Sequence, residues 1–177
     1  MPQMNIGVLH PGAMGITVAQ GLRDSGHQVG WVSAGRSPET LQRAAGLHSF
    51  ASIDEIAGWA DALISICPPH GALALAQAVH GTGFTGLFVD ANALAPSTSL
   101  KIADLIGAGA FVDGGIIGPP AIKPGITRLY LSGHHAAAVS AWFSAGNLQA
   151  IALPMTDAPN ASVAASTLKM AYAAYSK

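Results

Sequence analysis

The sequence predicts an α/β protein in which a doubly wound, mostly parallel β-sheet carries helices on both faces. Short apolar runs that are typical of buried strands alternate with helical patterns along the chain, and the connections between them are short. A glycine-containing turn joins the first apolar run to the first helical pattern. The length of 177 residues fits one such domain with a sizeable core.

The first strand, turn and helix form the most informative stretch. Residues 6–9 predict a strand buried on both faces, and a helical pattern follows at 13–22. Gly12 and Gly15 mark positions where a backbone approaches something closely, and a helix N-terminus there suits a pyrophosphate, as in the Rossmann-type G-x-G-x-x-G turn. His10 replaces the first glycine of that pattern. Because similar turns occur in doubly wound folds that bind no dinucleotide, the turn alone leaves both alternatives open.

Capping residues and helix breakers indicate where the following elements begin and end. Ser37-Pro38-Glu39 is typical of a helix start, with a serine cap and proline at the first helical position. Ser52 and Glu55 form a capping box ahead of a brief helix that ends near Ala60. The remaining predicted elements are strands at 28–33, 48–50, 62–67, 87–91, 111–113, 128–131 and 150–153, and helices at 71–79, 97–106, 136–143 and 160–175.

The loops that follow the strands are expected to meet at one edge of the sheet. In open parallel sheets, ligands bind beyond the carboxyl ends of the strands, at the point where the strand order reverses. We therefore expect Gly12, Arg36, Pro68, Asn92 and the loop from Gly114 to Pro120 to line one rim.

Composition argues against several classes of partner. Eight Lys and Arg against nine Asp and Glu give a net charge of -1, so we predict neither a nucleic-acid nor a membrane partner. The single cysteine, Cys67, can form no internal disulfide, which favours the cytoplasm. Only 10% of the residues are charged, which predicts that a partner or a further domain covers part of the apolar surface.

Arg36 is the candidate determinant of cofactor choice. Turns that bind NAD usually have an acid about 20 residues past the glycines for the ribose 2′-hydroxyl. That window holds Ser33, Arg36 and Ser37 and no acid. A planar guanidinium suits a 2′-phosphate and can stack on adenine, so we favour NADP over NAD. The alternative interpretation is a solvated surface arginine beside a helix cap.

Lys169 is the candidate acid or base of the final helix. Its neighbours in that helix are Ala, Ser, Thr, Met and Tyr, and Tyr172 and Ser176 share its face. A lone lysine among apolar residues can serve as general acid or base. The alternative is a lysine whose stem packs while its head reaches water. The seven histidines form no metal site by spacing, and there is no G-x-S-x-G elbow for a nucleophilic serine.

Taken together, these positions resemble the NAD(P)-binding domain of the 3-hydroxyisobutyrate and 6-phosphogluconate dehydrogenase superfamily, the β-hydroxyacid dehydrogenases. The family's G-x-I-G-x-G-x-M-G is similar to GVLHPGAMG at 7–15, and its D-x-S-T-x-x-P to DANALAP at 90–96. Its substrate loop D-A-P-V-S-G-G corresponds to DGGIIGP at 113–119, and G-T-L is echoed at 125–127. The catalytic lysine falls on Lys169. The H-P-G at the turn resembles the phosphogluconate-dehydrogenase-like branch.

The resemblance implies an NADP-dependent oxidoreductase that acts on a small hydroxyacid-like molecule. It implies an NAD(P)-binding domain at 1–158 and the start of an interdomain helix at 159–177, with an absent C-terminal helical domain or a second copy in a homodimer as partner. The implied catalytic residues are Lys169 and Tyr172, and the implied substrate-binding residues are Asn92, Ile117, Gly118 and Lys169. The predicted cofactor-binding residues are His10, Pro11, Gly12, Ala13, Met14, Ser33, Arg36, Ser37, Cys67, Pro68 and Asn92.

Departures from the family pattern bear on the substrate. Ile117 and Pro119 replace a serine and a glycine of the substrate loop, and Ala173 replaces an asparagine after the lysine. Loss of these groups is compatible with a bulkier or less polar alcohol, carbonyl or imine, and Tyr172 can supply the missing donor. Because the family continues into an all-helical domain while this sequence stops at Lys177, the alternative function is a non-catalytic nucleotide-binding fragment or a partner-dependent subunit.

Overall fold

The computed structural model describes residues 2–156 and 160–176; the predicted domain boundary between 158 and 159 lies outside them. The strands are β1 (Asn5–Val8), β2 (Gln28–Val32), β3 (His48–Phe50), β4 (Ala62–Ser65), β5 (Leu87–Asp90), β6 (Phe111–Ile117), β7 (Arg128–Ser132) and β8 (Gln149–Ala152). The α-helices are α1 (Ala13–Asp24), α2 (Pro38–Arg43), α3 (Ile53–Trp59), α4 (Ala72–Gly81), α5 (Pro96–Ile106), α6 (Ala136–Ser140) and α7 (Ala164–Tyr175). Short 3₁₀ turns precede α4 and α7 at Pro69–Gly71 and Ala161–Val163.

All eight strands form one sheet in the order β3-β2-β1-β4-β5-β6-β7-β8. Neighbouring strands are parallel except β6 and β7, which are antiparallel. The predicted mostly parallel, doubly wound sheet is therefore confirmed. The strand order reverses between β1 and β4, which places the ligand-binding crevice of such a sheet beyond their carboxyl ends.

Successive residues of the central strands point into two separate cores. Leu63 and Phe88 pack in a cluster with α3, α4 and α5, whereas Ile64 and Val89 pack in a cluster with α1 and α6. This alternation follows from the two-residue repeat of a strand. Because both faces are covered, the central strands β1, β4 and β5 are largely apolar, as the continuous runs in the sequence indicate.

The predicted helix caps are present. The Ser37 hydroxyl accepts a hydrogen bond from the Thr40 N–H at 3.4 Å, and the Ser52 hydroxyl accepts one from the Glu55 N–H at 3.1 Å. The Glu55 carboxylate in turn accepts from the N–H of Ala51, the residue before the cap, at 2.9 Å, one position away from the usual partner in a capping box. Within the ranges that the structure describes, no helix combines the length and apolar character needed to cross a membrane.

The prediction of a loop from Gly114 to Pro120 is wrong for its first half. Strand β6 continues to Ile117 and pairs with β7, with Gly114 opposite Leu131. The glycines serve close packing rather than a turn, because a Cβ at Gly114 would lie 2.9 Å from the carbonyl oxygen of Asp90. The loop therefore begins at Gly118.

Candidate cofactor and active site

A pocket of about 330 Å³ lies beyond the carboxyl ends of β1 and β4, where the strand order reverses. It brings together most of the predicted cofactor-binding residues. Its lining residues are His10, Gly12, Ala13, Met14, Gly15, Arg36, Thr40, Ile66, Cys67 and Pro68. Pro11 is buried in the same turn, while Ser33, Ser37 and Asn92 lie around the pocket without lining it.

The two glycines of the first turn differ in whether the protein's own packing requires them. A Cβ on Gly15 would lie 2.1 Å from the carbonyl oxygen of His10, so the turn itself requires glycine there. A Cβ on Gly12 would meet no atom within 4 Å, and its φ of -66° suits any residue. The protein therefore imposes no requirement for glycine at position 12, and the space beside it opens into the pocket.

The N-terminus of α1 opens into the pocket and has no side-chain cap. Gly12 stands at the N-cap without a side chain to cap the helix, and the first turn contains no acid. Helices α2 and α3 have serine caps and acidic first turns, whereas α4, α5 and α6, like α1, have neither. Helix α1 differs from those three because its first turn lines the pocket where the strand order reverses. The first N–H groups of a helix lack intrahelical partners and carry partial positive charge, so the turn at Gly12 can bind a phosphate through its backbone.

Arg36 lies half-buried across the ends of two strands. Its Nε donates to the Val32 carbonyl at 3.2 Å, and its terminal Nη2 donates to the Leu9 carbonyl at 3.3 Å. The neighbouring serines are engaged elsewhere: Ser37 caps α2, and the Ser33 hydroxyl accepts from Ser49 at 2.7 Å. Two of the guanidinium's five N–H donors thus bind backbone carbonyls, and Arg36 lines the pocket with its positive charge.

His10 is uncharged in this turn. Burial lowers the pKa of its imidazole from 6.5 to about 4, and the positive charge of Arg36 acts in the same direction. Among the described residues, no group makes a hydrogen bond to its buried Nδ1 atom. An unpartnered buried polar atom of this kind costs about 1–3 kcal/mol and marks the turn as a place that is not optimised for stability.

Asn92 is fully used by the protein. Its Oδ1 accepts from the Cys67 N–H at 2.5 Å, and its Nδ2 donates to Ser65 Oγ at 2.8 Å and to Asp90 Oδ2 at 3.0 Å. The side chain is only 3% exposed and holds the Cys67-Pro68 segment at the pocket wall. Direct contact of Asn92 with cofactor or substrate stays a prediction, and in this structure the residue shapes the pocket instead.

Asp90 holds Asn92 in this position, a role that no motif in the sequence indicates. It is 1% exposed at the end of β5, and its two oxygens accept hydrogen bonds from the backbone and side chain of Asn92. Burial raises the pKa of Asp90 to about 6, with Asn92 opposing the rise and the neighbouring Asp113 adding to it. An acid that ends an apolar strand, as in LFVD, is the signal that could have found it.

We predict that Asp90 makes the protein less stable as the pH rises from about 4 to about 6. The folded state holds this proton more tightly than the unfolded state, whose Asp has a pKa near 3.9, so stability falls across that window by up to about 3 kcal/mol. Urea unfolding at several pH values measures the slope, and the Asp90→Asn variant is expected to lose it.

His10 contributes the opposite slope, which provides the control for Asp90. Its folded pKa is depressed, so between about pH 4 and pH 6.5 the unfolded state binds more protons and stability rises with pH. Because this rise offsets most of the fall from Asp90 in the parent, a decline with pH is expected in His10→Gln and a net rise in Asp90→Asn. A parallel pH profile in Asp90→Asn and the parent would contradict the assignment.

Apart from Asn92, the predicted catalytic and substrate residues lie on α7 and at the end of β6. Lys169 is half-buried on α7, where a Cβ on Gly115 would lie 3.1 Å from the Lys169 Cβ. Tyr172 is 47% exposed on the same helix, and Ile117 ends β6. Gly118 follows with a φ of +122°, and a Cβ there would lie 2.3 Å from the Ile126 carbonyl oxygen, so this turn requires glycine. None of these residues lines the 330 Å³ pocket.

An apolar groove of about 640 Å³ runs along α7. Two of its lining residues are Leu168, which is 37% exposed, and Ala164. Tyr175, at the end of the same helix, is 94% exposed. Exposed apolar surface of this kind marks binding surfaces in proteins. In residues 2–156 and 160–176, no three His, Cys, Asp or Glu side chains are grouped so that they could hold a metal ion.

Comparison with protein families and with curated proteins gives no match: no family model and no curated protein is detectably similar to the chain. Solved structures are similar. A conserved protein of unknown function, whose structure was described as similar to 3-hydroxyacid dehydrogenases, has 28% sequence identity and a TM-score of 0.77, over 97% of this chain and 64% of that protein.

Two enzymes are similar at lower identity. A 3-hydroxyisobutyrate dehydrogenase from Mycobacterium tuberculosis has 20% identity and a TM-score of 0.73, over 98% of this chain and 61% of the enzyme. A variant imine reductase from Myxococcus stipitatus, solved with NAD+, has 17% identity and a TM-score of 0.73, over 99% of this chain and 61% of the enzyme. The chain thus spans less than two thirds of the length of these proteins. Its fold is that of the NAD(P)-binding domain of the β-hydroxyacid dehydrogenase superfamily, as its motifs predict.

Proposed function

We propose that the chain is an NADP-dependent oxidoreductase domain of the β-hydroxyacid dehydrogenase type. The observation that carries the proposal is the turn at Gly12. The helix N-terminus there has neither a side-chain cap nor an acid, the protein imposes no requirement for glycine at that position, and Arg36 lines the same pocket. These features suit a dinucleotide phosphate, which is anionic and approaches the backbone closely.

The residues of the pocket fit such a cofactor and have separate roles. The backbone of Gly12 to Met14 would bind the pyrophosphate, and Arg36 would bind the 2′-phosphate of NADP with the donors that the strands leave available. Pro68, held in place through Asn92, would form the wall on the side of β4. The nicotinamide of a bound cofactor supplies or accepts the hydride.

Lys169 would exchange the proton of the substrate oxygen. It lies on α7 against Gly115 of β6, the strand that ends at Ile117, immediately before Gly118 of the predicted substrate loop. Tyr172, one turn further along the helix, carries a phenol that can donate a hydrogen bond to the same atom. Ile117 brings an apolar side chain where a hydroxyacid needs polar contacts, which supports an alcohol, carbonyl or imine with a less polar substituent.

Calorimetric titration with NADPH, and with NADH in parallel, tests the proposal. We expect micromolar affinity for NADPH and clearly weaker binding of NADH. The proposal also assigns the chain to the phosphogluconate-dehydrogenase-like branch. It further includes a partner, which is either a second copy in a homodimer or a helical domain. Absence of binding by either cofactor would contradict the proposed function.

Arg36→Ala is expected to remove the preference for NADPH. A hydrogen-bonded contact with a charged group is worth about 1.5–3 kcal/mol, so the affinity for NADPH should fall by about 10- to 100-fold while that for NADH changes little. Titration of the variant with both cofactors measures the effect. Arg43→Ala, at the exposed end of α2, is the matched control. An equal loss for NADPH and NADH would refute the 2′-phosphate contact.

A nucleotide-binding subunit without activity of its own is the second candidate function. The observation in its favour is the exposure of the predicted catalytic helix, since Tyr172 is 47% exposed and the apolar groove on α7 is open. Proton and hydride transfer need a site from which water is excluded. Tight binding of NADPH without turnover of any carbonyl or imine would favour this candidate.

A further inference from the structure

Asp113 is a buried carboxylate for which the proposed chemistry has no use. It is 0% exposed in β6, with Ser132 of β7 opposite it on one side and Asp90 of β5 on the other. Its Oδ2 accepts hydrogen bonds from the Ser132 hydroxyl at 3.1 Å and from the Ser166 N–H at 2.7 Å, and its Oδ1 accepts from the Ser166 hydroxyl. Its donors thus come from a neighbouring strand and from helix α7.

These bonds cap helix α7 from the sheet. Val163, at the N-cap, provides no side-chain cap. The Ser132 hydroxyl accepts from the Ala165 N–H at 3.0 Å, and Asp113 accepts from the next N–H. Both groups satisfy orphan donors of the first turn, and the carboxylate also meets the positive end of the helix dipole. The Ser166 hydroxyl is further connected to Ser99 of α5 at 2.7 Å.

The second turn of α7 is seated on the same strand. Gly115 lies two residues after Asp113 and therefore faces the same side of the sheet. A Cβ on Gly115 would lie 2.7 Å from the Ala165 carbonyl oxygen and 3.1 Å from the Lys169 Cβ. Strand β6 thus contacts α7 at two points. The Asp113 carboxylate binds the first turn of the helix, and Gly115 leaves room for the second turn at Lys169.

We propose that Asp113 is a positioning residue for Lys169. The cap at the first turn fixes the rotation of α7 about its own axis, and the contact at Gly115 fixes its distance from β6, so that together they set the direction in which Lys169 extends. The inference depends on the proposed role of Lys169 as acid or base. A misplacement of a catalytic group by about 1 Å can cost about 10²-fold in rate, so a cap three residues away has leverage on catalysis.

Competitive labelling of lysines with a trace of an amine-directed anhydride tests this without a substrate. Mass spectrometry gives the rate for each lysine in the whole chain. In Asp113→Asn we expect the rate at half-buried Lys169 to change several-fold, while exposed Lys101 and Lys123 keep theirs. Asp90→Asn, which alters the neighbouring carboxylate bound to Asn92, is the matched control and should leave Lys169 unchanged.

A milder variant covers the case in which Asp113→Asn does not fold. Ser166→Ala removes the hydroxyl contact but keeps the backbone N–H on Asp113, so a smaller change at Lys169 is expected. An unchanged rate at Lys169 in a folded Asp113→Asn, or in Ser166→Ala if the former fails to fold, would overturn the proposal. This result is independent of cofactor titration, whose failure would instead refute the proposed function.

Turnover provides the second readout once a substrate is known. Asp113→Asn should lower kcat by up to about 10²-fold and leave the affinity for NADPH unchanged, because α7 does not line the cofactor pocket. In a Lys169→Ala background the same substitution should cost no further activity. An equal loss of activity in both backgrounds would show a purely structural role and overturn the proposal.

Discussion

Replacing Lys169 with alanine is expected to lower kcat by about 10²- to 10⁴-fold, the usual contribution of a positioned acid or base. The affinity for NADPH should stay the same, because Lys169 is seated against Gly115 and does not line the pocket that contains Gly12 and Arg36. Oxidation of NADPH with a panel of carbonyl and imine substrates measures turnover, and calorimetry measures affinity.

Lys101→Ala is the matched control for this variant, since Lys101 is an exposed lysine on the neighbouring helix α5. It should leave both turnover and affinity unchanged. A parallel fall of turnover and cofactor affinity in Lys169→Ala would show that the residue acts in binding or folding, and the assigned role would be wrong.

Substituting the two glycines of the first turn is expected to separate binding from folding. Gly12→Ala places its Cβ in space that the protein leaves open, so the free energy of unfolding should barely change. A phosphate seated there would be displaced and lose contacts worth about 1.5–3 kcal/mol, and the affinity for NADPH should fall by about 10- to 100-fold. Unfolding in urea and calorimetric titration measure the two quantities.

Gly15→Ala should behave in the opposite way. Its Cβ would lie 2.1 Å from the His10 carbonyl oxygen, and the forced shift of the turn should cost about 1–3 kcal/mol of stability, even though alanine favours a helix by about 1 kcal/mol over glycine. If Gly12→Ala binds NADPH as tightly as the parent, no phosphate approaches that position and the proposed site is wrong.

The sequence predicts the order of elements well because local signals determine it. Apolar runs and the caps at Ser37 and Ser52 act within a few residues, and the elements that they predict are present. Strand β4 ends at Ser65, two residues earlier than predicted. The turn at Gly12 is equally local, so the crevice at the ends of β1 and β4 could also be expected.

Contacts between distant segments could not be predicted in this way. Gly114 and Gly115 predict a loop by composition, yet they lie inside β6. They are glycines because a side chain at Gly114 would clash with Asp90 and one at Gly115 would clash with α7. In the same way, Asn92 resembles a ligand-binding residue until its partners Ser65 and Cys67, more than twenty residues away, are known. Tertiary packing decides such roles.

The half-buried thiol in the pocket has a practical consequence. Cys67 is the single cysteine of the chain and lines the same pocket as Gly12. Burial raises the pKa of the Cys67 thiol, so alkylation should be slow at neutral pH and faster in alkaline buffer. A molecule seated in the pocket would shield it. The rate at which Cys67 is alkylated therefore reports whether the pocket is occupied, and no engineered label is needed.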